Sequence, residues 1–322
     1  MKIFFPCLLF FLLFGLSCAY SYDYEHFEYF RIPTDETFFL YVNVAQINDN
    51  GTIAFLNDFT LPTVAIWLWD NTNLSSYAYT PYITNFILND NNDIAWRTFS
   101  PFPGDSRVYL NGIQLNLSLL SDMNDNQEIV YSRINDIYLW NGTNNTHLNM
   151  LSGKNVKIND NSDIAYLNPY NNNIYVWDGV TNQQITTNTT SDPDILYFAF
   201  NNLSQCTYIN SSYELYFYDG SVTQLIASSF DSEYLDFALN DKGDVVWAGY
   251  DGNDSEIFLY SNGVVTQVTN NDYDDYHPDI NNHGDIVYTD NGTSIIVATP
   301  VPEPSALALC IFGACLLKKL RK

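Results

Sequence analysis

One segment near the C-terminus decides the fold. Residues 275–288 have the sequence Asp-Tyr-His-Pro-Asp-Ile-Asn-Asn-His-Gly-Asp-Ile-Val-Tyr, in which Asn281 follows an apolar residue and precedes a second Asn. The same order of an apolar residue, Asn, and then Asp or Asn recurs with intervals of 41, 35, 35, 42, 39 and 41 residues, at Asn48, Asn89, Asn124, Asn159, Asn201, Asn240 and Asn281. In every copy an aliphatic or small residue follows five positions after the Asn, and an aromatic residue follows two further on. These pairs are Ile53 and Phe55, Ile94 and Trp96, Ile129 and Tyr131, Ile164 and Tyr166, Cys206 and Tyr208, Val245 and Trp247, and Ile286 and Tyr288.

This repeat predicts β-strands. Residues two apart, such as Ile286 and Tyr288, lie on one face of a strand. The Asn- and Asp-rich turn before them is typical of hairpins, because both residues tolerate left-handed backbone and bond their own main chain. Most copies add a second strand, a third short one and an extended run before the next Asn, as at residues 257–260, 267–269 and 276–280. Four strands in roughly 40 residues make one propeller blade.

The last copy is incomplete. Residues 281–299 hold two clear strands, and extended residues before the first copy, at 27–31 and 38–44, are candidates to complete it. Pairing the two ends of the chain in one sheet would hide both edges. We therefore predict an all-β propeller of about seven four-stranded blades, closed by N- and C-terminal strands, plus a C-terminal hydrophobic helix. Six or eight blades, or a right-handed β-helix, are the alternatives.

The repeat resembles that of TolB-type, or PD40, propellers. Residues 275–288, with Ile257-Phe258-Leu259-Tyr260 and Thr266-Gln267-Val268-Thr269 before them, carry the resemblance, which is degenerate outside the sixth and seventh copies. It implies the propeller fold. It leaves function open, because one fold hosts binding modules, scaffolds and enzymes.

The charge limits the class of partner. The formal net charge is −25 in 322 residues, and the Lys and Arg outside residues 31–242 all lie in the terminal segments. Such a surface repels nucleic acid and anionic lipid, and it suits cations or solubility outside the cell. Cys206 is the one cysteine between the terminal segments, so we expect no intrachain disulfide there. It occupies an apolar repeat position, which indicates a core residue.

The N-terminus has the pattern of a signal peptide. Lys2 precedes an apolar run to Leu16, and Ser17-Cys18-Ala19 supplies the small residues that signal peptidase reads. We expect cleavage before Tyr20. Lipidation of Cys18 is the alternative, although the preceding Gly15-Leu16-Ser17 is a poor lipobox.

The C-terminus resembles a PEP-CTERM sorting signal. Pro302, Glu303 and Pro304 precede an apolar stretch at 306–317 and the basic end Lys-Lys-Leu-Arg-Lys. The resemblance implies recognition of the Pro-Glu-Pro motif by an exosortase and transient anchoring in the inner membrane. It also implies a two-membrane bacterium that makes exopolysaccharide, with the mature protein secreted or on the cell surface. About a dozen apolar residues is short of the roughly 20 that a spanning helix needs. A plain tail anchor is the alternative.

These patterns divide the chain into a signal peptide at 1–19, a propeller at 20–299 and a sorting signal at 300–322. The motifs of serine hydrolases, zinc proteases and phosphate-binding loops are missing from the sequence. We therefore assign no catalytic residue and no cofactor. His277 and His283 flank the turn that enters the last copy and are candidates to share a loop face.

Calcium is a weaker candidate. Asp251, Asn253, Asp254 and Glu256 form a dense group of oxygen ligands, and residues 272–275 form another. Neither group follows the EF-hand spacing, so ordinary turn chemistry is the alternative.

Three functions agree with these patterns. The leading hypothesis is a non-enzymatic propeller that binds exopolysaccharide, envelope components or a surface protein. The second is a secreted polysaccharide lyase or hydrolase. The third is a structural matrix component without a specific ligand. A deep funnel with convergent His, Arg or carboxylates favours the enzyme, and a smooth aromatic or acidic face favours binding.

Overall fold

The fold is a seven-bladed β-propeller. The computed structural model describes residues 27–32, 42–58, 63–99, 106–187, 193–228, 235–291 and 294–301. Their strands form seven four-stranded sheets, and neighbouring strands are antiparallel. The signal peptide at 1–19 and the motif and apolar segment within 302–322 lie outside the described residues. Within the part that is described, no helix has the length and apolar character to span a membrane.

Each blade has four strands, ordered from the channel outward. Blade 1 contains β2 (Val42–Ile47), β3 (Ile53–Asp58), β4 (Thr63–Trp69) and β5 (Leu74–Pro81). Blade 2 contains β6 (Ile83–Leu88), β7 (Ile94–Thr98), β8 (Arg107–Leu110) and β9 (Ile113–Leu115). Blade 3 contains β10 (Asp122–Met123), β11 (Ile129–Arg133), β12 (Asp136–Trp140) and β13 (Asn145–Ser152). Blade 4 contains β14 (Lys154–Ile158), β15 (Ile164–Leu167), β16 (Ile174–Trp177) and β17 (Asn182–Gln184). Blade 5 contains β18 (Ile195–Phe200), β19 (Cys206–Asn210), β20 (Leu215–Tyr218) and β21 (Thr223–Ala227). Blade 6 contains β22 (Phe237–Leu239), β23 (Val245–Tyr250), β24 (Ser255–Ser261) and β25 (Val264–Gln267). Blade 7 contains β26 (Asp275–Ile280), β27 (Ile286–Asp290), β28 (Ser294–Pro300) and β1 (Phe27–Arg31).

The two ends of the chain close the ring. β1 pairs with β28 so that Phe27 lies opposite Pro300 and Arg31 opposite Ile296. The backbone N–H of Ile32 donates to the carbonyl of Ile295 at 3.0 Å, which extends the pairing by one residue. The prediction that Phe27–Arg31 completes the last blade is confirmed. Of residues 38–44, the described part is 42–44, and it belongs to β2, the innermost strand of blade 1, rather than to the last blade.

The hydrophobic core lies between neighbouring blades. Ile164 and Tyr166 on β15 pack with Val130 of blade 3, whereas Ala165 and Leu167 between them pack with blade 5. A strand in the second position of a blade is therefore covered on both faces, and its alternate side chains enter different interfaces. Buried apolar clusters of this kind fill all seven interfaces. The count of seven blades is thus confirmed, and six blades, eight blades and a β-helix are excluded.

Cys206 is a core residue, as the repeat predicts. Its side chain is fully buried beside Phe198 and Tyr208, and burial raises the pKa of its thiol.

Candidate functional site

A channel runs along the axis of the propeller, lined by the innermost strand of every blade. The repeated Asn follows each inner strand, so residues at equal distances from it lie at equal heights along the channel. A cavity of about 280 Å³ lies where these strands end, and one of about 930 Å³ lies where they begin. We call the first the narrow end and the second the wide mouth. Both take lining residues from all seven blades.

The narrow end is held by a closed ring of hydrogen bonds. The side-chain Nδ2 of each repeated Asn donates to the main-chain carbonyl of the repeated Asn in the next blade at 2.8–3.3 Å, and Asn281 closes the circle on Asn48. The Oδ1 of each accepts N–H groups from the residues two and four positions later, as Asn124 does from Asn126 and Glu128. All seven Asn side chains are buried. Buried amides with every partner supplied stabilise and orient the blades.

A second ring lies one residue further along. The backbone N–H of each residue after the repeated Asn donates to the side-chain oxygen of its counterpart in the next blade at 2.7–2.9 Å. The counterparts are Asp49, Asp90, Asp125, Asp160, Asn202, Asp241 and Asn282.

The carboxyls of this second ring repel one another. Burial, with Asp49, Asp125 and Asp160 nearby, raises the pKa of Asp90 to about 6. Burial and the neighbouring carboxylates also raise the pKa of Asp125. Asn202 relieves the repulsion locally, since its Nδ2 donates to both Asp160 and Asp241.

The middle of the channel contains further ties between blades. Asp279 accepts the backbone N–H of Ile47 at 2.9 Å, and Asp122 accepts that of Ile158 at 3.0 Å. Lys157 lies 3.7 Å from Asp122. Burial raises the pKa of Asp279 to about 6, and it also raises the pKa of Asp122. These acids act as links between neighbouring blades.

The wide mouth has a different set of side chains in each blade. Four residues before the repeated Asn, the seven blades present Val44, Asn85, Leu120, Asn155, Tyr197, Asp236 and His277. All but Leu120 line the 930 Å³ cavity, together with Lys154 and Lys157. Tyr197, one of these lining residues, is 52% exposed. The mouth thus combines one exposed aromatic ring with amides, carboxylates and cations.

His277 and Asp236 form a close pair at the mouth. The Nδ1 of His277 lies 2.5 Å from Oδ2 of Asp236, across the interface between blades 6 and 7. The register of β26 against β27 shifts between Tyr276 and Asp279, and His277 in this bulge has a φ of 53°. The inner strands of blades 1, 2, 4 and 5 shift register near the same height, and Asn155, the equivalent of His277 in blade 4, has a φ of 50°, so the bulge belongs to the repeat. A carboxylate on Nδ1 fixes the tautomer and the orientation of the imidazole ring.

The structure also shows where the other residues singled out from the sequence lie. His277 and His283 do not share a face, because His277 lies at the wide mouth and His283 lies in the turn after β26 at the narrow end. The structure does bring three calcium candidates together, since ligand oxygens of Asp251, Asp254 and Glu256 lie within 4.8 Å of one another. Asn253 is exposed and donates to Asp254. Pro302, Glu303 and Pro304 lie outside the described residues, just beyond the end of β28.

Sequence reasoning missed the two most informative contacts. It assigned the repeated Asn to turns and did not identify the ring between blades, although an Asn in register in all seven copies was the available signal. It did not identify Asp236, which no motif marks. The partnership of Asp236 with His277 depends on where the propeller places residues 41 positions apart.

Comparison with known proteins supports the fold. No protein-family model and no curated protein matches the sequence. Among solved structures, virginiamycin B lyase from Staphylococcus aureus is similar with a TM-score of 0.61 and 9% identity, over 86% of this chain and 100% of that chain. The propeller domain of the Trilobed protease from Pyrococcus furiosus is similar with a TM-score of 0.56 and 12% identity, over 78% of this chain and 91% of that chain. Acylaminoacyl peptidase from Pyrococcus horikoshii is similar with a TM-score of 0.56 and 16% identity, over 71% of this chain and 45% of that chain. At these identities the likeness establishes a propeller scaffold.

Proposed function

We propose that the chain is an exported protein of the cell surface or extracellular matrix whose propeller binds a polysaccharide, without catalysis, at the wide mouth. The observation that carries the binding site is the 930 Å³ cavity in which Tyr197 is exposed among polar side chains from several blades. A concave site of this volume with a few convergent polar groups is the usual form of a ligand site.

The chemistry of the mouth suits a saccharide. Sugar hydroxyls both donate and accept hydrogen bonds, and the amides of Asn85 and Asn155 can do the same. The Tyr197 ring offers an apolar face with a polar tip, which fits the mixed surface of a sugar ring. Lys154 and Lys157 also line this cavity of an otherwise strongly acidic chain, which favours a polysaccharide that carries carboxylate groups.

The terminal segments support export. The small residues that end the leader suit signal peptidase, and Pro302, Glu303 and Pro304 would be recognised by an exosortase in the inner membrane. β1 begins at Phe27 opposite Pro300, the last residue of β28, and both lie on the side of the narrow end. A propeller held by its tail would therefore direct its wide mouth away from the membrane, toward the exopolysaccharide.

Binding is tested by titrating the mature protein with the exopolysaccharide of the host and with a neutral glucan. We expect Tyr197→Ala to weaken binding of the exopolysaccharide at least tenfold, because the exposed ring contributes contact area. Tyr170→Ala is the matched control, since Tyr170 is 82% exposed on the turn between β15 and β16, outside the cavity. Equal losses in both variants, or binding by neither wild type nor control, would count against the proposed site.

Export is tested by fractionating the host with and without its exosortase and measuring the intact mass. We expect a shortened protein at the surface only when the exosortase is present. An uncleaved protein retained in the membrane of both strains would contradict the sorting proposal and leave the binding proposal standing.

The contact between His277 and Asp236 favours a second candidate, a lyase or hydrolase that acts on the same polysaccharide. An imidazole oriented by a carboxylate inside a ligand cavity is the arrangement of a general base. An enzyme would release new reducing ends from the exopolysaccharide, and His277→Ala would abolish the release. A binding protein would leave the chain length unchanged, and His277→Ala would alter affinity alone.

A further inference from the structure

Two acidic stretches that are separate in sequence meet at the boundary of blades 6 and 7. Asp251 and Asp254 lie in the turn between β23 and β24, and Glu256 is the second residue of β24. Asp275 begins β26, and Asn271 donates hydrogen bonds both to it and to Glu256. We call these four residues the acidic cluster. The Oδ1 of the adjacent Asp274 accepts the backbone N–H of Ser255 at 3.0 Å, which fastens the two stretches to each other.

Two oxygen atoms of the acidic cluster are buried without a partner. They are Oδ1 of Asp254 and Oδ1 of Asp275, and neither has a hydrogen bond within the described structure. Glu256 and Asp275 are both 0% exposed. A buried carboxylate oxygen without a donor costs free energy. The acidic cluster therefore calls for a positively charged partner from outside the protein.

None of the ion pairs found in the described part of the chain includes a residue of the acidic cluster. They join His147 to Asp136, Lys157 to Asp122 and His277 to Asp236.

Ordinary turn chemistry explains only part of the arrangement. Asp251 accepts the backbone N–H groups of Asn253 and Asp254, as a turn residue does. That bonding does not involve Glu256 or Asp275, which are held by groups between β25 and β26. The backbone N–H of Asn271 donates to Glu256 at 2.6 Å, and the Nδ2 of Asn271 donates to Asp275 at 2.9 Å. A proton shared by Glu256 and Asp275 would neutralise one charge and still leave Oδ1 of Asp254 without a donor.

We propose that the acidic cluster binds one Ca²⁺, with Asp251, Asp254 and Glu256 as carboxylate ligands and carbonyls or water completing the shell. Ca²⁺ takes six to eight oxygens at about 2.3–2.6 Å, so two ligands of one ion lie at most about 5 Å apart. The separation within 4.8 Å of the three carboxylates meets this condition. Mg²⁺ is less suitable, because it requires near-octahedral geometry at about 2.0–2.1 Å and retains its water.

The ion would brace blade 6 at its boundary with blade 7. Asn271 bonds both the ligand Glu256 and Asp275, which lies two residues before His277 on β26. The expected effect is on stability and on the order of this boundary, and it does not depend on which ligand the mouth binds.

The test is thermal unfolding of the mature protein in EDTA and in CaCl₂, with MgCl₂ and NaCl at matched ionic strength. Selective binding to the native state raises Tm, and at a Ca²⁺ concentration well above Kd we expect a rise of roughly 3 °C or more. MgCl₂ and NaCl are expected to give a smaller rise. Equal rises in all three salts would overturn the proposal, because they would show screening of the acidic surface. No rise in CaCl₂ would also overturn it.

Two variants with the same change of charge locate the effect. Asp254→Asn keeps the shape of the side chain and removes the charge, so we expect it to abolish the Ca²⁺-specific rise and to raise Tm in EDTA by relieving repulsion. Asp219→Asn makes the same change in the exposed turn after β20 and should retain the rise. Calorimetric titration with CaCl₂ alone should give one site in wild type and none in Asp254→Asn. Retention of the site in Asp254→Asn would overturn the assignment.

Discussion

The two ends of the channel are built from opposite kinds of sequence. At the narrow end the same Asn occurs in all seven blades and makes the same bonds to the next blade. At the wide mouth the corresponding position differs in every blade except for the two Asn, and includes Tyr197, Asp236 and His277. Both ends are lined by the same seven strands.

The difference separates architecture from function. A residue that fixes the angle between neighbouring blades is required in every blade, so it occurs in every repeat. A ligand without sevenfold symmetry is recognised by different side chains from different blades, so the residues of a binding site differ between repeats. The exposed ring and the His–Asp pair at the wide mouth are such departures, whereas the buried Asn ring is not.

Breaking the Asn ring should have the largest effect. Asn124→Ala removes two accepted bonds and the donations to Glu128 Oε2 at 2.8 Å and Asn159 at 3.0 Å. Buried groups left without partners cost about 1–3 kcal/mol each, partly recovered by water, so we expect a loss of about 3 kcal/mol in the free energy of unfolding. Urea denaturation measures it.

The control lies two residues away in the same turn. Asn126 is exposed, and its side chain donates one hydrogen bond, from Nδ2 to the carbonyl of Asp160 at 3.0 Å. Leu203 occupies the equivalent position in blade 5. Asn126→Ala should cost less than about 1 kcal/mol. Similar costs for the two variants would contradict the role of the ring.

A change in the middle of the channel should have an intermediate effect. Lys157→Met leaves the partly buried carboxyl of Asp122 without its cation, whose Nζ lies 3.7 Å from Oδ1 of Asp122 in the wild type. Because Lys157 is itself partly exposed, we expect a loss of about 1–2 kcal/mol at pH 8, below the range for a fully buried pair. In the Asp122→Asn background, Lys157→Met should cost less free energy of unfolding, because no carboxylate is left without a cation. An equal cost in both backgrounds would refute the pairing.

The acids of the narrow end should make stability depend on pH in a defined direction. The pKa of Asp90 is raised to about 6 in the folded protein, above its unfolded value near 3.8. Its contribution is therefore fully present below about pH 3.8 and is lost as the pH rises through 6. Asp90→Asn cannot titrate and retains the acceptor, so it should be more stable than wild type at pH 8 by roughly 0.5–1 kcal/mol, after discounting for partial exposure.

Urea denaturation of both proteins at pH 4 and pH 8 checks this prediction. The advantage of Asp90→Asn should nearly vanish at pH 4. Asn202 and Asn282 already occupy the equivalent position in blades 5 and 7, so the substitution is compatible with the ring. An equal advantage at both pH values would show that the cost of holding a charged Asp90 in this buried, acidic ring is not the cause.

Much of the fold could be predicted from the sequence, because a propeller repeats its local rules. The spacing of Asn48 to Asn281 gives the number of blades, and the i, i+2 pattern of Ile164 and Tyr166 gives one face of a buried strand. The incomplete last copy predicts closure by β1. These inferences depend only on neighbours in sequence and on their periodicity.

The site was less predictable, since its contacts join blades about 40 residues apart. Asp251 and Glu256 could be recognised as candidate ligands, but the approach of Asp275 to Glu256 follows from the packing of blade 7 on blade 6. The same packing brings Asp236 to His277 and separates His277 from His283. Sequence spacing sets the height of a residue in the channel, and it does not specify which unlike residues form a pair.

The separation of roles is tested most directly by hydrogen exchange of the mature protein with and without the exopolysaccharide of the host. We predict added protection at the first halves of the inner strands, around residues 195–199, 235–238 and 275–279, and none in the Asn turns at 48–52, 89–93 and 124–128. Protection confined to the Asn turns, or to the outer strands of the blades, would contradict the assignment of the wide mouth as the binding site.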